Sequence, residues 1–344
     1  MTSTTVLFLV VFLFLITTLI LDTPLPKEEE REPLQTLPSA VPTIASTVVT
    51  TTTPPTATAI IVETRSLHSL LFAVWHMLKV LPSPQWVVIL VHAPENRKFV
   101  CSAFSANPRV QLVELAQRFT IQTTDCLATE PTSLQDSWPS GWGLTNIQLT
   151  HPFMEAIPTE NYLTFQTDGL LCDGDPLDIH ERLMSMFVYD FVGAPWGYTQ
   201  LGGNGGFSLR KKSATLKVLS QLLDLSTDTP YLFDTGASPT FTKRHEDAIF
   251  IDLLSSFPGV SLPSYETAMA FSTETNFTIS SKSSLGFHNP WKHLSLPQYE
   301  SFKQACPVVA VCHQLSMLNG PRPPNPWDVG AGDAGTARKR WERW

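Results

Sequence analysis

From Ala57 onward the chain alternates short continuous apolar runs with longer stretches where apolar residues recur every third or fourth position. Ala59 to Glu63 is a short β-branched run suited to a buried strand. Ser66 to Leu81 then carries Leu67, Leu70, Leu71, Val74, Trp75, Leu78 and Leu81, a helical spacing, and Pro82 and Pro84 end it. Trp86 to His92, WVVILVH, is a second continuous apolar strand. Strand, helix and strand in close succession make a βαβ unit, which implies a parallel sheet covered on both faces.

The pattern continues along the chain. Val110 to Leu115 predicts a third strand, Asn146 to Ala156 a helix and Tyr162 to Thr167 a strand. Asp178 to Val188 is again helical and Asp190 to Gly193 extended. Gly206 to Leu209 is a short strand feeding a helix over Ser213 to Leu223, and His245 to Ser255 is an amphipathic helix. From Pro307 the sequence NGPRPPNPWDVGAGDAG predicts an irregular tail. The fold class is therefore α/β, a mostly parallel sheet flanked by helices.

The N-terminus changes the picture. Val6 to Leu21 carries no charge. It is shorter than the roughly 20 residues of a bilayer span, but Thr2 to Thr5 extend it. A cleaved signal peptide and an uncleaved anchor both suit it. No Lys or Arg precedes Val6 and no small-x-small site closely follows Leu21, which favours an anchor. Asp22 to Thr56 is dense in Pro and Thr and cannot bury enough apolar surface to fold, so it reads as a stalk, O-glycosylated or plain. The expected order is a short cytosolic tail at 1–5, an anchor at 6–21, a stalk at 22–56, a globular domain at 57–306 and the irregular tail at 307–344. That order suggests a single-pass type II protein facing a secretory lumen.

Composition adds exclusions. A formal charge of −8 argues against nucleic acid as a partner. The 5 cysteines form no C-x-x-C pair, which disfavours zinc, and their connectivity stays open. Asn276-Phe277-Thr278 is a glycosylation sequon, compatible with a lumenal loop.

In an open α/β sheet, ligands bind at the carboxyl ends of the strands. Glu63-Thr64-Arg65 follows the first strand; Arg65 suits a phosphate or a base edge, and a surface turn would look the same. Gln166-Thr167-Asp168 ends the strand YLTFQT, and a carboxylate there suits Mg²⁺ or Mn²⁺ beside a substrate phosphate. A literal D-x-D, Asp173 to Asp175, lies further on, and the turn and cap of the next helix explain it better. Gly203, Asn204, Gly205 and Gly206 form a glycine segment that leads into a strand, without P-loop or dinucleotide spacing, and suits a floor under a sugar. Glu246 and Asp247 sit at a helix start, where they complement the dipole or supply a general base. His288 adds a possible metal ligand.

In this order the motifs resemble the GT-A glycosyltransferase plan. There a D-x-D holds the metal and sugar nucleotide, a glycine segment lines the donor sugar, an x-E-D positions the acceptor, and a late His completes the metal shell. The resemblance puts Gln166 to Asp168 in the place of D-x-D, with Gln166 where a carboxylate is usual. It puts Gly203 to Gly206 in the glycine segment, His245 to Asp247 in x-E-D, and His288 as the late His. The blocks IIVETR, WVVILVHAPEN, FQTDGLLC, YDFVGAPW, GGNGGFSLR, HEDAIF, FSTET and GFH are similar to a mainly fungal, glycosyltransferase-like family of unknown function, number 5672, over Ala59 to Leu294.

The resemblance implies a hexosyltransferase-like enzyme moving a sugar from a nucleotide donor to a glycan or glycoprotein, with Mn²⁺ or Mg²⁺, in the Golgi or another secretory membrane. Glu63, Arg65, Gln166, Asp168 and Gly203 to Gly206 would hold the donor, and Asp168 and His288 the metal. Asp247 would be the base and Glu246 would orient the acceptor. Tyr189, Asp190 and Trp196 would shape the acceptor side, although Trp196 equally suits a core role. A non-catalytic sugar- or nucleotide-binding protein on the same fold is the alternative, and Gln166 is its best support.

Overall fold

The structure is a computed structural model that describes residues 54–115, 121–127, 144–196, 203–224, 246–277 and 284–318. The apolar runs form strands. In chain order the elements are β1 (Ala57–Val62), α1 (His68–Val80), β2 (Trp86–His92), α2 (Arg97–Phe104), β3 (Val110–Leu115), β4 (Ile121–Thr123), α3 (His151–Ala156), β5 (Asn161–Phe165) and β6 (Gly169–Leu171). Then come α4 (Pro176–Met186), β7 (Phe191–Gly193), β8 (Phe207–Lys211), α5 (Lys212–Asp224), α6 (Glu246–Ser256), α7 (Tyr265–Phe271), β9 (Ser272–Thr273), β10 (Gly286–His288), α8 (Leu296–Ala305) and α9 (Val308–Leu318).

The main sheet has the order β4-β3-β2-β1-β5-β8-β7. Its centre, β3-β2-β1-β5, is parallel. β4 and β8 run against their neighbours, and β7 runs against β8. Successive residues of the central strands enter opposite cores. Ala59 and Ile61 join Leu70, Met77 and Phe207 on one face, while Ile60 joins Phe153, Tyr162 and Phe250 on the other. Burial on both faces is why β1 and β2 are continuous apolar runs rather than alternating ones.

A second sheet, β6-β10-β9, is built from short segments far apart in sequence. β10 pairs antiparallel with β6, placing His288 opposite Gly169, and parallel with β9, placing Phe287 opposite Thr273. One residue further along that register, Glu274 comes beside His288.

Two expectations are corrected. The helix predicted over Asn146 to Ala156 is interrupted: Leu144–Leu149 is a 3₁₀ turn, and α3 starts afresh behind Thr150, whose side chain accepts a hydrogen bond from Phe153 N. Pro152 in the first turn suits that start. The tail expected to be irregular from Pro307 is instead helical over Val308–Leu318, because Val308, Val309 and Cys312 bury themselves in the core.

Disulfides join Cys101 to Cys126 and Cys172 to Cys306, and Cys312 is a buried free thiol. The expected anchor at 6–21, nearly all of the stalk and the tail beyond 318 lie outside the described residues. Among the described residues no helix is long and apolar enough to cross a membrane.

Candidate functional site

The site forms where β5 ends. Gly169 N donates to Gln166 O at 3.1 Å, closing a turn over Gln166 to Gly169. Two later segments brace it: Cys312 Sγ on α9 donates to Thr167 O at 3.1 Å, and Asn289 N donates to Asp168 O at 2.8 Å. Asp168 is buried as a result.

The β6–β10 pairing sets His288 against this turn. Its Nε2 stands 3.6 Å from Asp168 Oδ1 and 3.3 Å from Gln166 Oε1. Its Nδ1 meets Glu274 Oε1 at 2.9 Å. Burial alone would lower the pKa of His288. The Glu274 hydrogen bond and the charges of Asp168, Glu274 and Asp247 outweigh it and hold the ring above its ordinary value.

With Nδ1 turned to Glu274, Nε2 and two oxygens face one small space, and a proton or a cation reconciles them. Two ligands of one Mg²⁺, each about 2.1 Å from the ion, stand roughly 3 Å apart. The 3.6 Å between Nε2 and Oδ1 is close to that. Among the described residues no three His, Cys, Asp or Glu side chains form a cation cluster. The pair by itself offers one imidazole nitrogen and one carboxylate oxygen, donor types that a divalent cation takes.

The glycine segment is packed tightly from its own side of the protein. A Cβ on Gly203 would stand 2.6 Å from Gly193 O, one on Gly205 2.5 Å from Glu246 Oε1, and one on Gly206 2.3 Å from His288 Nε2. The space each glycine leaves is thus filled by protein, so packing within the fold requires glycine at these positions. Asn204 latches the segment: its N donates to Ala194 O at 2.7 Å, and its Oδ1 accepts from Gly206 N at 2.6 Å.

Glu246 and Asp247 open α6, and both are buried. Glu246 Oε1 meets Arg210 Nη2 at 2.7 Å. That guanidinium is fully buried and lies over the adjacent rings of Phe191 and Phe250, 5.2 Å from each centroid. Burial pushes the Glu246 carboxyl up to about 7, with Asp247 adding to the rise and Arg210 opposing it. Sealed beneath Arg210, Glu246 has no surface with which to orient an acceptor, which corrects that expectation. Asp247 Oδ2 accepts from Gly205 N at 3.0 Å and Oδ1 from Ala248 N at 2.8 Å, so it ties the glycine segment to α6. His245 lies outside the described residues.

Arg65 stands at the end of β1, its side chain 42% exposed and gripped by Glu63 through Nε and Nη2, both at 2.8 Å. This bond raises the Arg65 pKa, and Asp168 is close enough to add to the rise. Glu63 is spent on Arg65, so only the guanidinium faces outward. Asn96 Nδ2 donates to Glu63 O at 3.0 Å and Arg65 O at 3.2 Å, fixing the turn.

The motif YDFVGAPW is split by its own strand. β7 runs parallel to β5, so Trp196 follows its carboxyl end, on the side of the glycine segment, where it is half-buried against the core. Tyr189 and Asp190 precede β7, at the opposite edge. Asp190 accepts from Ser261 N at 2.8 Å and pairs with Lys211 at 3.2 Å, while Tyr189 packs against the other core. The acceptor-side role expected of Tyr189 and Asp190 is therefore corrected: a strand's length separates them from Asp168.

The literal D-x-D is structural. Asp175 caps α4, accepting from Leu177 N and Asp178 N, and Asp173 pairs with Lys79 at 2.8 Å. The sequon residue Asn276 is half-buried and donates to Tyr265 OH at 3.3 Å.

Sequence reasoning missed Glu274, Arg210 and Cys312. Glu274 and Arg210 lay within quoted blocks, FSTET and GGNGGFSLR, but their partners depend on sheet register. Cys312 needed the helix that the sequence reading lost.

The family model described as Protein of unknown function (DUF5672) matches residues 135–288. That is narrower than Ala59 to Leu294, and leaves out the blocks of β1 and β2. No curated protein matches the chain. Among solved structures, an active-site mutant of LgtC is similar at 8% identity and TM-score 0.43, covering 78% of this chain and 98% of that one. The galactosyltransferase LgtC in complex with donor and acceptor sugar analogs is similar at 8% identity and TM-score 0.38, with the same coverages of 78% and 98%.

Proposed function

We propose that the chain is a GT-A-type, hexosyltransferase-like glycosyltransferase that moves a sugar from a nucleotide-sugar donor to a glycan or glycoprotein. The observation that carries this reading is the meeting of Asp168 and His288, 3.6 Å apart, at the carboxyl edge of the parallel strands. Arg65 stands within electrostatic reach of Asp168. A buried acid–imidazole pair beside an outward-facing guanidinium suits a diphosphate.

Asp168 and His288 would hold Mn²⁺ or Mg²⁺, with Gln166 offering a neutral oxygen in place of a carboxylate. Such an ion, when bound, supplies positive charge to the departing nucleoside diphosphate. Arg65 binds and orients the phosphates. The glycine segment, held by Asn204 and Asp247, presents the wall against which the sugar lies, and Trp196 borders the acceptor side. Asp247, whose oxygens accept from Gly205 N and Ala248 N, would receive the acceptor's proton. Residues 6–21 would anchor the protein as a single-pass type II species with this domain in the Golgi lumen.

A second reading is a sugar- or nucleotide-binding protein without turnover. It is favoured by Gln166 in place of a carboxylate. A thermal-shift screen against UDP- and GDP-sugars, with and without Mn²⁺, followed by product analysis, decides between them. Stabilisation with sugar release or transfer supports the enzyme. Stabilisation without turnover supports the binder, and no shift with any nucleotide sinks both.

A further inference from the structure

We propose that Glu274 is a positioning residue of this site: it fixes His288 with a proton on Nδ1 so that Nε2 faces Asp168, and through Asn204 it locks that ring to the glycine segment. Three observations carry this.

First, the contacts close a circuit. Glu274 Oε1 accepts from His288 Nδ1 at 2.9 Å and from Asn204 Nδ2 at 3.0 Å. Asn204 Oδ1 accepts from Gly206 N at 2.6 Å. Gly206 in turn lies so close under the imidazole that a Cβ would stand 2.3 Å from Nε2. Each member is held by the next, and the ring cannot rotate without breaking a bond.

Second, Glu274 is spent on this circuit. It is 5% exposed, and its Oε2 is buried with no hydrogen-bond partner among the described residues. The ring of His293 also approaches it, with Nε2 4.0 Å from Oε1. A buried carboxylate that accepts from an imidazole N–H sets which ring nitrogen is left for a ligand.

Third, the arrangement follows from the fold. Parallel pairing of β9 with β10 sets Glu274 beside His288, and antiparallel pairing of β10 with β6 sets His288 beside Asp168. The second sheet thus sets the His288 ring between two carboxylates, with Nδ1 towards Glu274 and Nε2 towards Asp168 at the β5 turn.

The consequence for a cation rests on the proposed function; the consequence for the ring does not. The experiment separates them. Ring-nitrogen NMR of the full chain with isotope-labelled histidine, above the titration of His288, reports which nitrogen carries the proton. His288→Asn identifies the signal. The expected result is the proton on Nδ1 in the wild type and in Glu274→Gln, whose amide oxygen still accepts, and loss of that signature in Glu274→Ala. Mn²⁺ alone, followed by electron paramagnetic resonance, should bind Glu274→Ala about 10–100-fold more weakly than wild type, with Glu274→Gln close to wild type. A wild-type ring protonated on Nε2 overturns the proposal, and that measurement needs no variant to fold. So does a folded Glu274→Ala with unchanged ring signature and unchanged Mn²⁺ affinity. If the wild type binds no Mn²⁺, the cation part of the proposed function fails, while the ring measurement still decides the role of Glu274.

Discussion

The imidazole of His288 lies directly over the Cα of Gly206: a Cβ there would stand 2.3 Å from Nε2 and 2.6 Å from Cδ2. Gly206→Ala therefore has to displace the ring, and the ring is tied to Glu274 and buried. Overpacking of this kind costs about 1–3 kcal/mol. The expected result is a lower Tm together with lost Mn²⁺-dependent stabilisation by nucleotides. If the Tm falls and the ligand response survives, His288 is not a ligand.

The sheet was legible in the sequence because burial on both faces writes itself as unbroken apolar runs, and Trp86 to His92 and Val110 to Leu115 form strands with those bounds. Asp168 was legible for the same reason: the run YLTFQT delivers it to the strand end. Glu274 was not. Its partners come from β9, β10 and the glycine segment, and no local period announces a register between segments so far apart. Asp190 was misread because eight adjacent letters look like one cluster, whereas β7 carries the two ends of YDFVGAPW to opposite edges. The helix over Val308–Leu318 was hidden by the Pro- and Gly-rich composition that follows it.

Glu246 and Arg210 make a test of structure against chemistry. Removing one partner of a buried ion pair strands the other, at a cost of about 3–5 kcal/mol. Glu246→Ala is expected to lose that much stability in chemical denaturation, with or without ligand, because Arg210, lying over the rings of Phe191 and Phe250, is fully buried. A Glu246→Ala protein of wild-type stability with impaired transfer would return Glu246 to the acceptor.

Asp247→Asn is not a clean catalytic knockout. Both carboxylate oxygens accept backbone N–H groups, from Gly205 and Ala248. An amide can accept with one arm only, so its NH₂ confronts one of these donors. A buried donor left unsatisfied costs about 1–3 kcal/mol. The expected outcome is a measurable loss of stability as well as of transfer. Unchanged stability with abolished transfer would make Asp247 a catalytic group without this latching role.

His76 gives a pH signature away from the site. It is buried on α1, with Nε2 2.8 Å from Leu171 O, and burial lowers its pKa below the ordinary 6.5. The unfolded chain then binds a proton that the folded chain refuses. The stability contributed by neutral His76 is fully present above pH 6.5 and is lost as pH falls below it, towards the folded value. His76→Gln keeps a donor for Leu171 O and does not titrate. The Tm advantage of wild type over His76→Gln should therefore shrink between about pH 7.5 and about pH 5.5. A constant difference across that range would show that His76 titrates normally.

The Cys172–Cys306 disulfide bears on the site through α9. It closes a separation of 134 residues and holds the chain just before α9, whose Cys312 donates to Thr167 O beside Asp168. Loss of such a crosslink costs about 2–5 kcal/mol. Cys172→Ala should lower stability by that amount. It should also weaken nucleotide or Mn²⁺ binding more than Cys101→Ala does, since the Cys101–Cys126 bridge joins the region of α2 to the segment after β4, away from the turn. Thermal melts and ligand titrations of the two variants, each compared with wild type, provide the measurement. Equal effects on binding would mean that the disulfide stabilises the fold without supporting the Asp168 turn through α9.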